Sequence, residues 1–368
     1  MILWAILIAV VAAFVVSHAA TSFSKRLAVR LDWLDRPGAH KAHATPTPLL
    51  GGSAIFATIL LLGLAGPMFA CFWTAWGSPA WLTDNAPQLA MHVPGAVRQA
   101  PRAVGILAFA ALLHVIGLID DRKHLGPWSK LLAQTVAAAG VVVLCDVRVL
   151  RFAGPVVSIG ASVLWLVVIT NSFNFLDNMD GLAAGVAAIC AAALLAAALS
   201  MGQWFVAGWS CVLLGTLLGF LRHNFPPASV FMGDAGSLPV GFLLGVLSCM
   251  TTYVRPDGAG VMYSLFMPVL LMAVPLYDTF SVMWIRLREG RNPMVGDRRH
   301  FSHRLVRRGM TPRTAVLTIY ICTACTAIAA SLLPYVKGPA PAIMLAGQTL
   351  LILMVIALLE GAGKNGGQ

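Results

Sequence analysis

Four polar residues recur at every third position between two long apolar runs of this sequence. They are Asn171, Asn174, Asp177 and Asp180, within TNSFNFLDNMDGLAAG at 170–185. An acidic side chain at a bilayer centre costs about 2.5–3.5 kcal/mol on insertion scales, so acids beside membrane-length apolar runs are functional candidates. A spacing of three drifts about 60° per step on an α-helix but eclipses on a 3₁₀-helix. We therefore expect a helix end that loosens here and aims several oxygens into one pocket; the alternative is a solvated loop.

A pair of adjacent acids ends another apolar run. Asp120 and Asp121 close the run that begins near residue 102, and Lys130 opens the next one. Adjacent carboxylates repel each other, which favours a proton or a cation beside them. Such a pair suits a divalent metal ion or a general base, and the alternative is a helix cap or an interface anchor.

A further acid, Asp234, lies within FMGDAGS at 231–237, with glycines on both sides. Glycines let the backbone approach a ligand closely. Ser237 is placed to cap the span that follows, and a helix N-terminus with free N–H groups is a ready anion site. The segment therefore predicts a ligand site at a helix start.

Two basic segments contain histidines. The first holds Lys41 and His43 ahead of PTPLLGG at 46–52, and its alternative is a Pro-rich lead into a span. The second is DRRHFSHRL at 297–305, and its alternative is an ordinary basic loop or a patch for lipid headgroups. In the apolar run before it, Asp278 is expected to pair with one of the arginines.

Together these segments describe one kind of chemistry. Hard carboxylate oxygens with few soft ligands indicate Mg²⁺, with Mn²⁺ as an alternative, rather than zinc. Cationic donors beside such an ion describe a phosphate or pyrophosphate site. Because the site would be embedded in a membrane, it predicts phosphoryl transfer in which one substrate is a lipid.

The composition requires that membrane-spanning helices carry these groups. Of 368 residues, 59% are hydrophobic and only 11% are charged, whereas soluble domains carry about 25% charged residues. Many apolar runs reach the ~20 residues that span a bilayer. We expect an all-α, polytopic integral membrane protein with a single domain over residues 1–368. Its eleven predicted spans are 2–22, 51–73, 102–119, 130–146, 157–173, 182–200, 203–221, 238–253, 261–285, 314–333 and 340–359.

The basic residues predict the orientation. With the N-terminus outside, the inner segments and the C-terminal tail hold 19 of the 25 Lys and Arg residues. This asymmetry fits the positive-inside rule and places the candidate site on the cytoplasmic face. The net charge of +11 therefore mainly reflects the excess of basic residues on the inner side of the membrane, and no nucleic-acid partner is expected. The inner loops that we expect to be catalytic are 23–50, 120–130, 174–181, 222–237 and 286–313.

Five motifs in this order resemble a known family. HKAHATPTPLLGG, IDDRKHLGPWSK, NSFNFLDNMDGLAAG, FMGDAGS and DRRHFSHRL are similar to those of the polyprenyl-phosphate N-acetylhexosamine-1-phosphate transferases, glycosyltransferase family 4. That family includes the phospho-N-acetylmuramoyl-pentapeptide transferases, but the eleven spans and the last motif are more similar to the undecaprenyl-phosphate GlcNAc-1-phosphate branch. The resemblance extends from about His40 to Gly309. It implies a Mg²⁺-dependent enzyme that transfers a sugar-1-phosphate from a UDP-N-acetylhexosamine to undecaprenyl phosphate and releases UMP.

The resemblance also implies roles for individual residues. Asp120 and Asp121 would deprotonate or position the lipid phosphate, and Asp234 would be the chief Mg²⁺ ligand. Other residues fall at positions that bind metal or substrate, or that act in catalysis. These are Asn174 as second metal ligand, Asp180 near the uracil, Lys130 and His303 near the pyrophosphate, His300 as catalytic, and Asn171, Asp177, Arg304, His43 and Lys41 as substrate-binding. Direct attack by the lipid phosphate is favoured over a covalent intermediate, and both stay open.

One departure concerns the last motif, where the related transferases usually carry His-x-His-His and this chain has Ser302 at the third position. We expect that a histidine there would leave activity unchanged or raise it. The alternatives are a phospho-N-acetylmuramoyl-pentapeptide transferase and, from another class, a secondary transporter, although the acids cluster at span ends on one face and no internal repeat is evident. We expect a bacterial inner-membrane protein acting in cell-wall or polysaccharide biosynthesis. The sugar, the glycan and a homodimeric state are left open.

Overall fold

A computed structural model describes residues 2–36, 46–251, 261–292 and 299–361. The predictions for Lys41 and His43 fall outside these residues. Within them the chain is a helical bundle with one small antiparallel sheet, in which β1 (Leu34–Asp35) pairs with β2 (Thr47–Pro48). The helices in chain order are α1 (Ile2–Arg30), α2 (Gly51–Trp76), α3 (Ala80–Asn85), α4 (Pro87–Ala90), α5 (Val93–Lys123), α6 (Pro127–Leu144), α7 (Pro155–Leu176), α8 (Leu182–Ser200), α9 (Trp204–Asn224), α10 (Asp234–Met250), α11 (Val261–Ser264), α12 (Met267–Leu271), α13 (Ala273–Arg288), α14 (Phe301–Arg307), α15 (Pro312–Leu332) and α16 (Pro339–Gly361), with 3₁₀ turns at Arg151–Ala153 and Leu333–Tyr335.

The all-α, multi-pass architecture is confirmed. Over the described residues, nine helices are long and apolar enough to cross a membrane, and they coincide with nine of the eleven predicted spans. The eighth predicted span is α10, a shorter apolar helix of 17 residues. The ninth, 261–285, is broken into α11, α12 and α13. Pro268 and Pro275 lie in the first turns of α12 and α13, where a residue without a backbone N–H can start a helix but not continue one.

Helix α10 lies at the centre of the bundle. It packs against α2, α5, α7 and α8, and its residues from Ala235 to Cys249 are all buried. Its first residue is Asp234, because Gly233 precedes it with φ +65°. Ser237 lies inside the first turn, so the prediction that Ser237 caps this helix is wrong.

The start of α2 supports the loop that leads into α10. The backbone N–H groups of Gly51 and Gly52 donate to the carbonyls of Phe231 (3.1 Å) and Met232 (3.0 Å). A Cβ at Gly52 would lie 2.3 Å from the backbone nitrogen of Gly236. The glycine pair of the PTPLLGG motif therefore positions the Asp234 motif by close backbone contact.

The helix end predicted within 170–185 is present, but the chain leaves the α-helix only after Leu176. The helix stays α-helical to Leu176, and a turn over 177–181 connects it to α8. Because a spacing of three drifts around an α-helix, Asn171 and Asn174 do not point the same way. Asn171 Nδ2 donates to Gln134 Oε1 of α6, whereas Asn174 is directed at α10.

Candidate active site

The centre of the candidate site is one lysine between two carboxylates. Lys130, in the first turn of α6, places its Nζ 2.9 Å from Asp234 Oδ2 and 3.1 Å from Asp120 Oδ2. Asp120 lies near the end of α5, is buried, and also accepts a hydrogen bond from the Leu125 N–H at 2.6 Å. The end of α5 and the starts of α6 and α10 therefore bring two of the predicted motifs into direct contact.

Asp121 has a different environment from its neighbour in sequence. Its carboxylate accepts hydrogen bonds from the backbone N–H groups of Asp234 (2.8 Å) and Ala235 (3.1 Å). These are free donors at the start of α10, where a negative charge is stabilising. The anion site predicted at this helix start is thus filled by the protein's own carboxylate.

Asn174 completes the contacts of Asp234. Its Nδ2 donates to Asp234 Oδ1 and to Ser237 Oγ, both at 2.9 Å. Both oxygens of Asp234 are therefore hydrogen-bonded, one to the amide and one to Lys130. Since Nδ2 faces Asp234, the amide oxygen of Asn174 remains the atom of this side chain that is chemically suited to a metal ion.

The turn after α7 carries two of the predicted acids. Burial raises the pKa of Asp177 well above its ordinary value, and the carboxylates of Asp234 and Asp121 raise it further. Asp180 Oδ2 accepts a hydrogen bond from the Ala228 N–H at 2.8 Å. Asp177 therefore belongs to the carboxylate cluster, whereas Asp180 joins the turn to the loop that precedes α10.

The second histidine segment is held by a buried acid. Asp278 of α13, which is fully buried, accepts from the Phe301 N–H at 2.9 Å and lies 2.7 Å from His300 Nδ1. The predicted pairing of Asp278 with an arginine stays a prediction, and the partner that the structure describes is His300. A carboxylate at Nδ1 fixes the orientation of the ring and leaves Nε2 as the proton acceptor of the neutral imidazole.

The rest of α14 makes contacts away from the carboxylates. Ser302 is fully buried, and its Oγ donates to Asn178 Oδ1 at 2.6 Å, which joins α14 to the turn after α7. Arg304 pairs with Glu360 of α16 at 2.9 Å and contacts Ser281. His303 is half-buried in the first turn of the helix.

The structure thus assembles six predicted residues into one cluster and separates others from it. The cluster consists of Asp120, Asp121, Lys130, Asn174, Asp177 and Asp234. Asn171 is bound to Gln134, and Arg304 to Glu360. The substrate-binding roles of these two, and of Asp180, stay predictions.

Several residues of the site region went unnoticed in the sequence. His114 places Nδ1 2.7 Å from the Ala235 carbonyl and stacks on Phe56. Arg286 is fully buried, and its guanidinium lies 5.6 Å from the ring centroid of Phe175. Arg286 lies in the last turn of α13, one residue past the predicted ninth span, so its position alone does not separate it from the other basic residues of the inner loop.

The donor set is chemically suited to Mg²⁺. Within the described ranges, no three His, Cys, Asp or Glu side chains are grouped as metal ligands, and both oxygens of Asp234 already have hydrogen-bond partners. However, the available donors are hard oxygens, and the carboxylates of Asp234 and Asp121 add to burial in raising the pKa of Asp177. A divalent cation beside these carboxylates would offset their negative charge, so the oxygen chemistry of the set fits the ion.

Comparison with known proteins gives a consistent result. Residues 103–252, which contain the whole cluster, match the family "Glycosyl transferase family 4". The chain is 30% identical over 328 residues to the probable undecaprenyl-phosphate N-acetylglucosaminyl 1-phosphate transferase of Bacillus subtilis, covering 86% of this chain and 82% of that protein. It is 31% identical to the decaprenyl-phosphate N-acetylglucosaminephosphotransferase of Mycolicibacterium smegmatis (97% and 89% covered). It is 27% identical to the undecaprenyl-phosphate alpha-N-acetylglucosaminyl 1-phosphate transferase of Escherichia coli K12 (82% and 77% covered).

Proposed function

The chain belongs to the polyprenyl-phosphate N-acetylglucosamine-1-phosphate transferases of glycosyl transferase family 4, and we propose that it transfers GlcNAc-1-phosphate from UDP-GlcNAc to undecaprenyl phosphate. In this reaction an oxygen of the lipid phosphate bonds to the β-phosphorus of UDP-GlcNAc. The bond from that phosphorus to the bridging oxygen breaks, and UMP leaves with the electron pair. The product is a lipid-linked diphosphate sugar that begins a cell-envelope glycan.

The observation that carries this proposal is the position of Lys130 between Asp120 and Asp234. A single ammonium group that contacts both carboxylates can hold phosphate oxygens of two substrates in one place. Asp120 would orient the lipid phosphate, and Lys130 would stabilise the charge that develops on the transferred group. A phosphate monoester has its second pKa near 6, so the acceptor needs little help from a base at neutral pH.

The hydrogen bonds of the two adjacent acids favour direct attack. Asp121 is engaged by two backbone N–H groups, and Asp120 by Leu125 and Lys130. A carboxylate whose lone pairs accept such bonds is a weakened nucleophile, which favours attack by an oxygen of the lipid phosphate itself. The proposed reaction therefore has one chemical step and no covalent enzyme intermediate.

Asp234 and the amide oxygen of Asn174 would hold Mg²⁺, with Mn²⁺ as a substitute. When bound, the ion supplies positive charge that stabilises the pyrophosphate and the leaving UMP. The positive-inside distribution supports a site on the cytoplasmic face of a bacterial inner membrane.

The test is UMP release by the purified protein in detergent, with undecaprenyl phosphate, Mg²⁺ and a panel of UDP-sugars. The expected result is release with UDP-GlcNAc that requires both the lipid and the metal. Asp234→Asn should abolish release while the protein still folds. Release only with UDP-MurNAc-pentapeptide would assign the protein to the other branch, and no release with any donor from folded protein would overturn the proposal.

A further inference from the structure

Helix α14 is too short to be stable by itself. It has seven residues, Phe301–Arg307, and isolated helices below about 12–15 residues are marginal in water. Its position must therefore come from contacts with the rest of the protein. Its N-terminal end is held by Asp278 and its first turn by Asn178, as described above.

The C-terminal end of α14 is held by the last membrane helix. Arg304 Nη2 lies 2.9 Å from Glu360 Oε2, near the end of α16. Two nitrogens of Arg308, Nε and Nη2, donate to the backbone carbonyl of Glu360 at 3.0 and 2.8 Å. The Tyr277 hydroxyl lies 3.3 Å from the same carboxylate. Glu360 of α16 thus contacts Arg304 and Arg308, at the two ends of segment 304–308, and also Tyr277 of α13.

The Arg304–Glu360 pair is shielded from solvent. The side chains are 12% and 11% exposed, respectively, so the pair is weakly screened, and loss of one partner leaves the other charge buried. Arg304 also donates to Ser281. An arginine with partners on two sides can hold a helix in position. It is less suited to change its rotamer and bind a substrate.

We propose that Glu360 is a positioning residue: through Arg304 and Arg308 it holds α14 against the turn that carries Asp177 and Asn178, beside the carboxylate cluster. This rests on the proposed function, because it assigns α14 to the donor side of that reaction. Glu360 itself touches no reacting group. The C-terminal helix would therefore contribute to donor binding from outside the cluster of Asp120, Lys130 and Asp234.

The experiment compares Glu360→Ala and Glu360→Gln with the parent, using UMP release at varied UDP-GlcNAc and varied undecaprenyl phosphate. Glu360→Ala should raise KM for UDP-GlcNAc by about tenfold or more, which equals about 1.4 kcal/mol, with little change in KM for the lipid. Glu360→Gln should recover part of this, since its amide oxygen can still accept from Arg304. The matched control is Asp146→Asn, which breaks the Asp146–Arg151 pair outside the candidate site and should behave as the parent.

Two results would overturn the proposal. One is a Glu360→Ala protein with parental KM values. The other is an equal rise in KM for both substrates, accompanied by a lower unfolding temperature. That result would show that Glu360 only stabilises the fold. If Arg304→Gln raises KM for UDP-GlcNAc and Glu360→Ala does not, Arg304 binds the donor directly and Glu360 has no role.

Hydrogen exchange of the 301–307 amides gives a readout that does not depend on activity. Exchange should be faster in Glu360→Ala than in the parent, while exchange in α2 stays unchanged. An inactive parent would therefore refute the proposed function without deciding on α14, and unchanged exchange at 301–307 would refute the positioning role alone.

Discussion

The carboxylate of Asp121 lies against the first turn of the helix that begins with Asp234, and accepts the Asp234 N–H at 2.8 Å. Asp120, one residue earlier, instead contacts Lys130. The two adjacent acids therefore have different contacts: Asp121 anchors α10, and Asp120 pairs with Lys130, where we propose that the acceptor phosphate binds. This arrangement explains why the chain needs two acids in sequence, since consecutive positions on a helix point in different directions.

We predict that Asp121→Ala lowers the free energy of unfolding by about 0.5–2 kcal/mol, the usual effect of losing a helix-capping acid. Asp121→Asn should lose less stability, because its amide oxygen still accepts one hydrogen bond. Thermal unfolding in detergent, with UMP release measured in parallel, tests this. The control is Asp120→Asn, which should reduce turnover with a smaller change in stability. Parental stability of Asp121→Ala combined with complete loss of turnover would instead make Asp121 a catalytic base.

A matched pair of glycines in α2 provides a second prediction. Gly52→Ala should abolish activity, because its Cβ would lie 2.3 Å from the Gly236 backbone nitrogen and displace the loop that carries Asp234. Gly66→Ala has open space around the new Cβ and should be neutral or stabilising by up to about 1 kcal/mol from helix propensity. UMP release and thermal unfolding of both variants are the measurements. Normal turnover by Gly52→Ala would show that the close contact is dispensable.

The fold could be predicted well because membrane spans have a strong signature. Apolar runs near 20 residues predict helices almost without regard to their neighbours, and the span predicted at 182–200 is α8 itself. Helix ends were harder to place. The third predicted span ended at residue 119, whereas α5 continues to Lys123 and includes both acids. The break in the ninth span also needed the structure, since prolines can either kink or end a helix.

The site could be predicted as a set of motifs but not as a set of contacts. The family resemblance implied that Asp234 and Asn174 act together, and they are hydrogen-bonded. The sequence could not indicate that Asn171 faces α6, because this depends on whether α7 loosens. It also assigned Asp278 to an arginine, although the buried partner is His300. Both contacts join distant segments, and such pairings depend on how the helices pack.

We expect Lys130→Gln to reduce kcat for UMP release by about 100- to 1,000-fold, similar to the removal of one transition-state donor in other enzymes. The substitution also leaves Asp120 and Asp234 close together without the ammonium group that contacts both. Mg²⁺ should therefore raise the unfolding temperature of Lys130→Gln more than that of the parent.

The control for this prediction is Lys337→Gln, because Lys337 is an exposed lysine in the connection between α15 and α16. It should keep parental kcat and the parental response to Mg²⁺. A Lys130→Gln protein with kcat within about tenfold of the parent would exclude transition-state stabilisation by this lysine.

Ser302 gives the last prediction, and here the structure favours the opposite of what its motif suggested. The related transferases usually carry histidine at this position, so the motif predicts that a histidine is tolerated. However, Ser302 is fully buried and donates to Asn178 at 2.6 Å. Ser302→His should therefore overpack the contact between α14 and the turn after α7, costing about 1–3 kcal/mol of stability and lowering turnover.

Ser302→Ala separates the effect of the hydrogen bond from that of volume. Its free energy of unfolding should fall by only about 0.5–1.5 kcal/mol, the usual net contribution of one hydrogen bond, and it should retain most of its turnover. Both variants would be measured by thermal unfolding and by KM for UDP-GlcNAc. If Ser302→His matches the parent in both, α14 and the 177–181 turn can separate enough to admit a larger side chain, and their spacing does not control donor binding. If Ser302→Ala loses as much turnover as Ser302→His, the hydrogen bond to Asn178, rather than volume, sets the position of α14.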